Sequence, residues 1–107
     1  MSNDVLVQLA ATIHARRSSF AEASYTRQLL DAGPVKCATK LGEEAIETVM
    51  AGASESAERL KEEAADLLYH LLVLLEAREV AITDVLAVLE ARMGTSGLKE
   101  KADRGKR

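Results

Sequence analysis

The sequence predicts an all-α protein, and three features of the chain support this fold class. Apolar residues make up 48% of the 107 residues, while aromatic residues make up only 3%. Alanine and leucine dominate the apolar set and there is a single proline, which favours helices over strands. Apolar residues also recur at helical spacing along much of the chain. We expect one domain, residues 1–107, with four main helices.

The first helix is predicted over about residues 3–21. Its apolar stripe consists of four residues at helical spacing, Leu6, Leu9, Ile13 and Phe20. Residues 24–33 are predicted as a connector, with room for one helical turn near residues 26–30. Gly33 and Pro34 mark the end of this connector, because proline fits the first turn of a helix.

The second helix is predicted over about residues 35–51. Four apolar residues form one stripe along it: Ala38, Leu41, Ala45 and Val49. Four charged residues gather on the opposite side: Lys36, Lys40, Glu44 and Glu47. The segment from Gly52 to Ser56 interrupts the pattern, and either Ser54 or Ser56 can serve as the N-cap of the next helix.

The third helix is predicted to end near Arg78, and a fourth helix, capped by Thr83, to run to Met93 with Gly94 as its stop. Seven of the nine residues from Leu67 to Leu75 are leucine or valine, so nearly every face of the third helix is apolar. A helix of this kind must be surrounded by other elements. Because so short a chain cannot easily cover it, we expect a homodimer that completes the helical bundle.

Charge is unevenly distributed along the chain. The net charge is −3, yet residues 99–107 hold five basic and two acidic residues, and this tail is predicted to be mobile. The preceding 98 residues therefore carry a charge of −6. An acidic body argues against nonspecific binding of nucleic acid.

Cys37 is the single cysteine, which excludes an internal disulfide and fits a reducing cytoplasmic setting. The amino terminus lacks the basic start and the apolar block of a signal peptide. The longest apolar stretch is far too short to span a bilayer. We therefore expect a soluble cytoplasmic protein that does not contact membranes.

Two pairs of carboxylates carry the main functional prediction. Glu44 and Glu47 are three residues apart, as are Glu63 and Asp66, so each pair projects from one face of its helix. On two helices joined by a short turn, the four acids can converge on one cation. Mg²⁺ prefers carboxylate and phosphate oxygens, so the pattern predicts a Mg²⁺ site in a phosphate-processing enzyme. The alternative is a solvated acidic face, which is usual for charges on helices.

Several polar residues are candidates for binding the phosphates of a substrate. Lys36 and Lys40 share the acidic side of the second helix. Surface positions, with a weak ion pair between Lys40 and Glu44, explain their spacing equally well. Thr95 and Ser96 lie between two glycines, with Arg92 before them, and glycine lets backbone N–H groups approach an anion closely. A flexible turn after a helix stop accounts for the same residues.

Three further residues are predicted to be structural. His70 lies four residues after Asp66 and could face the same cavity, but a core histidine with a hydrogen-bond partner is the preferred interpretation. Tyr69 is predicted to pack rather than to bind. Cys37 is predicted to be a small buried or half-buried residue, because no group that would activate its thiol is identifiable.

The acidic pattern resembles the signature of a known group of enzymes. Glu43-Glu44-x-x-Glu47 followed by Glu63-x-x-Asp66 is similar to the metal signature of the MazG-like all-α nucleotide pyrophosphatases. The segments Ser24-Tyr25-Thr26 and Gly94-Thr95-Ser96-Gly97 narrow the resemblance to the phosphoribosyl-ATP pyrophosphatases of histidine biosynthesis. The resemblance covers roughly residues 20–102.

The resemblance implies an all-α homodimer that hydrolyses phosphoribosyl-ATP to phosphoribosyl-AMP and pyrophosphate and requires Mg²⁺. It implies four metal ligands, Glu44, Glu47, Glu63 and Asp66, and a catalytic role for Glu43 beside them. Lys36, Lys40 and Arg92 would then hold phosphates. Many relatives are fused to a cyclohydrolase, but this chain lacks the length and the cysteines for that domain, so we expect the one step alone.

Two other functions stay open at this point. One is a general nucleoside-triphosphate pyrophosphatase with the same helices and the same metal. The other is a non-catalytic helical dimerisation module whose acids are merely solvated. Hydrolysis of phosphoribosyl-ATP compared with dCTP, dUTP and ATP distinguishes the first alternative, and thermal stabilisation by Mg²⁺ distinguishes the second.

Overall fold

The computed structural model describes residues 4–21, 24–93 and 104, and over these residues the chain contains helices and no strands. Its five α-helices are α1 (Val5–Ala15), α2 (Tyr25–Ala32), α3 (Pro34–Ser54), α4 (Ala57–Ala77) and α5 (Ile82–Met93). A short 3₁₀ helix, Arg16–Ser18, follows α1. The all-α prediction is confirmed. Gly94, Thr95, Ser96 and all of the 99–107 tail except Arg104 lie outside the described residues.

Side-chain caps explain where three of these helices begin. The Asp4 carboxylate accepts hydrogen bonds from the backbone N–H groups of Leu6 and Val7 at the start of α1. The hydroxyls of Ser24 and Ser56 each accept the N–H three residues ahead, at the starts of α2 and α4. Of the two serines proposed as the cap of α4, Ser56 is therefore the correct one.

The N-terminal part of the chain differs from the prediction. α1 ends at Ala15 and not near residue 21, because the chain tightens into the 3₁₀ helix, and Phe20 lies beyond it with 82% of its surface exposed. The predicted connector contains a whole helix, α2, which raises the number of main helices from four to five. Gly33 then turns the chain with φ of 100°, and Pro34 opens α3 as expected.

Helices α3 and α4 form an antiparallel pair that makes the most extensive contact between elements in the described part of the chain. The predicted apolar stripe of α3 is wrong in part, because Ala38 and Val49 are exposed. Cys37 and Ala51 are buried instead, and Glu44 and Thr48 are half-buried between them on the face toward α4. The helix also continues past Gly52 to Ser54. The acidic residue Glu44 thus lies on the contact face of α3.

The core joins residues from α1, α2, α3 and α4: Ile13, Leu29, Cys37, Leu72 and Val73. Both α1 and α2 pack against α4, while α5 packs against α1. α5 begins at Ile82, so Thr83 is inside the helix and is not its cap. Within the described residues no helix is both long enough and apolar enough to cross a membrane.

Candidate active site

Three acidic side chains meet where α3 and α4 pack together. Glu44 comes from α3, while Glu63 and Asp66 come from successive turns of α4. One carboxylate oxygen from each residue lies within 4.8 Å of the others. This separation is short enough for a single cation to contact all three. The structure therefore brings together three of the four predicted metal ligands.

Glu63 is the most buried member of this acidic cluster, with only 4% of its surface exposed. Its Oε2 atom accepts a short hydrogen bond from the Arg59 guanidinium one turn earlier. Its Oε1 atom is buried and has no hydrogen-bond partner among the residues that the structure describes. A buried carboxylate oxygen without a partner is costly, which indicates that a further group completes this site.

The raised pKa of Glu63 reflects the same burial and the same excess of negative charge. Burial raises the pKa of this carboxyl above its usual value, and the neighbouring charge of Glu47 raises it further. Arg59 lowers it, but not enough to offset the other effects. Glu47, an exposed residue of α3, thus lies beside Glu63, although it is not part of the three-residue cluster. A divalent cation would relieve this accumulation of negative charge.

Glu43 has a different environment. It is exposed, and its carboxylate forms an ion pair with Lys40, with 3.1 Å between Nζ and Oε1. It does not join the acidic cluster. The predicted catalytic role of Glu43 therefore rests on its position next to Glu44.

Of the predicted phosphate-binding residues, Lys36, Lys40 and Arg92 are described by the structure, and they lie on two helices. Lys36 is exposed in the first turn of α3, and Lys40 lies half-buried one turn later. Lys40 is itself one turn before Glu44, so its ammonium is adjacent to the acidic cluster. Arg92 is exposed in the last turn of α5.

The roles of two residues beside the acidic cluster were not predicted from the sequence pattern. The Thr48 hydroxyl lies 2.8 Å from the Glu44 carbonyl oxygen and 3.1 Å from the Glu63 carbonyl oxygen, so it ties α3 to α4 beside the acids. Arg59 holds one oxygen of Glu63 and also pairs with Glu55 and Glu62. Both roles depend on how the helices pack, which spacing along one helix does not reveal.

The donor atoms of the cluster suit Mg²⁺. All three groups are carboxylates, which are hard oxygen donors, and one of them presents a buried oxygen that lacks a partner. The described residues contribute neither thiolate nor imidazole to the group. Glu44, Glu63 and Asp66 would hold the ion, and Glu47 would add negative charge beside it.

Two of the three residues predicted to be structural, His70 and Cys37, are buried in the fold. His70 is 7% exposed, and its Nδ1 atom lies 3.0 Å from the Asp66 carbonyl oxygen. Cys37 is buried, and burial raises the pKa of its thiol. Neither residue belongs to the acidic cluster.

Comparison with known proteins finds relatives that match nearly the whole chain. The family model described as phosphoribosyl-ATP pyrophosphohydrolase matches residues 6–93. A protein named phosphoribosyl-ATP pyrophosphatase from Cereibacter sphaeroides is 54% identical over 101 residues, covering 94% of this chain and 98% of that relative. Proteins of the same name from Jannaschia sp. and Nitrobacter winogradskyi are 52% and 51% identical, covering 92% and 99% of this chain and 97% and 91% of those relatives.

Proposed function

The chain belongs to the phosphoribosyl-ATP pyrophosphohydrolase family, and we propose that it hydrolyses phosphoribosyl-ATP to phosphoribosyl-AMP and pyrophosphate, the second step of histidine biosynthesis. Identity above 50% over nearly the whole length of several relatives supports this assignment. The acidic cluster between α3 and α4 supports the chemistry, because cleavage of a phosphoanhydride needs its developing negative charge neutralised.

The observation that carries the proposal is the unpartnered Oε1 atom of Glu63 within 4.8 Å of donor oxygens from Glu44 and Asp66. We propose Mg²⁺ as the cofactor of this cluster. When bound, the ion supplies Lewis-acid stabilisation of the charge that develops on the departing pyrophosphate. The three carboxylates orient the site, and Arg59 fixes Glu63 by holding its other oxygen.

The remaining predicted residues take roles around this cluster. Lys40, one turn from Glu44, is placed to bind a phosphate of the substrate, and Lys36 and Arg92 are proposed to bind the others. Thr95 and Ser96 are proposed as further phosphate contacts. The exposed carboxylate of Glu47, beside Glu63, is proposed as the fourth ligand of the ion, and Glu43 is proposed to orient the attacking water and to accept its proton.

Two substitutions test the assignment of the cluster. Glu44→Gln and Asp66→Asn each remove one negative donor while keeping the shape of the side chain. We expect pyrophosphate release from phosphoribosyl-ATP to fall at least about 100-fold in each variant, because even supporting residues of metal sites cost 10–100-fold when lost. Circular dichroism should show unchanged helix content, and Glu90→Gln on the exposed face of α5 is the matched control. Unchanged rates in both cluster variants would remove the proposal.

The choice of substrate needs a separate assay. The same helices and acids would serve a general nucleoside-triphosphate pyrophosphatase. We expect the specificity constant for phosphoribosyl-ATP to exceed those for dCTP, dUTP and ATP. Preference for one of the simple triphosphates would keep the metal chemistry and overturn the assigned substrate.

We also propose that the enzyme is a homodimer. In the C-terminal half of α3 the large apolar residues Ile46, Val49 and Met50 are more than half exposed, and Leu68 of α4 is 42% exposed. A second copy that packs on this face would cover them, and patches of this kind mark interaction sites. Sedimentation should show a dimer that Val49→Glu dissociates and that Val88→Glu, on α5, leaves intact. A monomeric wild type would contradict this assembly.

The predicted location and domain organisation complete the proposal. A lone buried thiol, that of Cys37, suits the reducing cytoplasm, where we place the enzyme. We treat residues 1–107 as one pyrophosphatase domain. The shared core of α1 to α4 supports this, because it joins residues from Ile13 to Val73.

A further inference from the structure

A ring cluster lies next to the acidic cluster and is not used by the chemistry described above. It consists of His70, Tyr25 and Tyr69, and both tyrosine rings are in edge-to-face contact with the imidazole. Ring centroids are 6.2 Å apart for Tyr25 and 4.9 Å apart for Tyr69. His70 is 7% exposed, whereas Tyr25 is 51% exposed. A buried polar ring therefore supports a tyrosine that is open to solvent.

Hydrogen bonding fixes which nitrogen of His70 carries a proton. The Nδ1 atom lies 3.0 Å from the backbone carbonyl oxygen of Asp66. A carbonyl oxygen only accepts hydrogen bonds, so Nδ1 carries the hydrogen, and in the tautomer with this one ring hydrogen Nε2 is an acceptor. The Tyr25 hydroxyl lies 3.5 Å from Nε2 and is therefore the donor in that contact. Its oxygen then has only lone pairs to offer to a ligand.

The position of Tyr25 relates it to the proposed substrate site. His70 is four residues after the cluster member Asp66, and Lys40 is four residues before the cluster member Glu44. Four residues of helix span about 6 Å, so both are one turn from the acids. A hydrogen bond to Glu43 raises the pKa of Lys40, and Tyr25 acts on it in the same direction, so the phenol lies within electrostatic range of the ammonium. Tyr25 and Lys40 thus flank the same end of the acidic cluster.

We propose that the Tyr25 oxygen accepts a hydrogen bond from a ribose hydroxyl of the nucleotide substrate, with His70 as the residue that positions it. This inference rests on the proposed function. The ligand group must be a donor, which excludes an ionised phosphate oxygen. Ribose is joined directly to the phosphate chain, so its hydroxyls are the donors nearest to a triphosphate held by the acidic cluster and Lys40. Tyr25 would therefore contribute to recognition of a ribonucleotide.

Tyr69 provides a matched control, because its ring contacts the same imidazole. Its hydroxyl lies 2.5 Å from Thr26 Oγ1, and the two side chains are half-buried. Because this hydroxyl is already bonded within the protein, its loss should lower stability without changing substrate binding. Tyr25→Phe and Tyr69→Phe remove the same single oxygen atom from residues that touch the same ring.

The experiment compares three substrates: phosphoribosyl-ATP and its analogues that lack the 2′- or the 3′-hydroxyl of the adenosine ribose. We expect Tyr25→Phe to raise KM for the full substrate about 3- to 10-fold with kcat within about twofold, as loss of one hydrogen bond predicts. For the analogue that lacks the contacted hydroxyl, Tyr25→Phe and wild type should have the same KM. Tyr69→Phe should have the wild-type KM for all three substrates.

The positioning role of His70 is tested by non-additivity. His70→Phe keeps a ring at this buried position and removes the Nε2 acceptor, so it should raise KM in the wild-type background. In the Tyr25→Phe background it should raise KM no further, because the contact it supports is already absent. A purely structural loss would raise KM equally in both backgrounds and would overturn this role.

The outcomes separate the inference from its premise. If the wild type releases no pyrophosphate from phosphoribosyl-ATP, the proposed function falls and the inference falls with it. If the wild type is active but Tyr25→Phe has the wild-type KM, only the inference is overturned. The same holds if the rise in KM in Tyr25→Phe is equal for all three substrates.

Discussion

Helix α4 contains two shielded glutamates near its opposite ends, and their surroundings differ in a way that separates function from stability. Glu63, in the second turn, has one oxygen bonded to Arg59 and the other without a partner. Glu76, in the last turn, pairs through Oε2 with Arg17 and His14, and its side chain is 18% exposed. The pKa of Glu63 is raised above its usual value, whereas the pKa of Glu76 is lowered.

The described residues thus satisfy the hydrogen bonding of Glu76 and leave that of Glu63 incomplete. Arg17 donates both to the Glu76 carboxylate and to the Glu76 backbone oxygen, at 2.7 Å, and so joins the 3₁₀ helix to the end of α4. Such a carboxylate has no need of an outside cation. Glu63 instead shares its surroundings with Glu47, Glu44 and Asp66, and negative charges gathered without compensation are typical of a site that binds a cation.

The largest expected effect is on activity. Glu63→Gln should reduce pyrophosphate release at least about 100-fold, because it removes a proposed ligand of the cation. Glu76→Gln should have the wild-type rate, since Glu76 contacts α1 and the 3₁₀ helix and not the acidic cluster. The measurement is initial-rate release of pyrophosphate from phosphoribosyl-ATP at saturating Mg²⁺. Equal losses of rate in the two variants would remove the distinction between the two glutamates.

The next largest effect is on stability, and here Glu76→Gln is the variant that is impaired. Glu76→Gln should lower the free energy of unfolding by about 1 kcal/mol, a value reduced from that of a buried charged bond because Arg17 and His14 are exposed to solvent. Glu63→Gln should leave the metal-free protein as stable as the wild type or more so, because it removes repulsion from Glu47 and Asp66. Urea unfolding without Mg²⁺ checks both. A metal-free Glu63→Gln protein less stable than Glu76→Gln would contradict this prediction.

A smaller effect concerns pH. Burial acts to raise the pKa of Glu76, but the hydrogen bonds and charges of Arg17 and His14 outweigh it, so the folded pKa lies below the usual value of about 4.3. A depressed pKa contributes stability that is present above the unfolded pKa and lost as the pH falls through the folded pKa. Between about pH 5 and pH 3 the wild type should therefore lose more stability than Glu76→Gln. Parallel curves for the two proteins would show that the ion pairs do not form in solution.

The smallest effect is expected from loss of the hydrogen bond between Thr48 of α3 and the backbone of α4. Thr48→Val removes the hydroxyl that joins α3 to the backbone of α4 while keeping the branched shape of the side chain. We expect a loss of about 1 kcal/mol in the free energy of unfolding and a modest rise in the Mg²⁺ concentration needed for half-maximal rate. Thr39→Val, on the exposed side of α3, is the control. A Thr48→Val protein that matches the control in both measurements would show that the link is unimportant.

The spacing of residues was sufficient to predict the acids that meet between α3 and α4. Glu63 and Asp66 follow one another on a single helix face, and a short connection returns the chain antiparallel, so convergence with Glu44 follows from the geometry of one hairpin. The cap at Ser56 and the turn at Gly33 are equally local, since each depends on a few neighbouring residues. Local features of this kind are the ones that a sequence reveals.

The features that sequence reasoning missed depend on packing between elements. α2 has only eight residues, and Thr26 in it hydrogen-bonds to Tyr69 of α4, 43 positions away, so long-range contacts fix its place. Gly52 does not end α3, because Ala51 is buried against α4 and Gly52 itself faces Leu60. The ring contact between Tyr25 and His70 likewise joins residues 45 positions apart, which no local pattern predicts.

The most direct test of the incomplete carboxylate is thermal unfolding of metal-free protein with and without Mg²⁺. Binding to the folded state alone adds about 2.7 kcal/mol when the ion is about 100-fold above its Kd, so the melting temperature of the wild type and of Glu76→Gln should rise by several degrees. Glu63→Gln should show little or no rise at the same Mg²⁺ concentration. An equal rise in Glu63→Gln and wild type, or no rise in either, would contradict a cation site at this cluster.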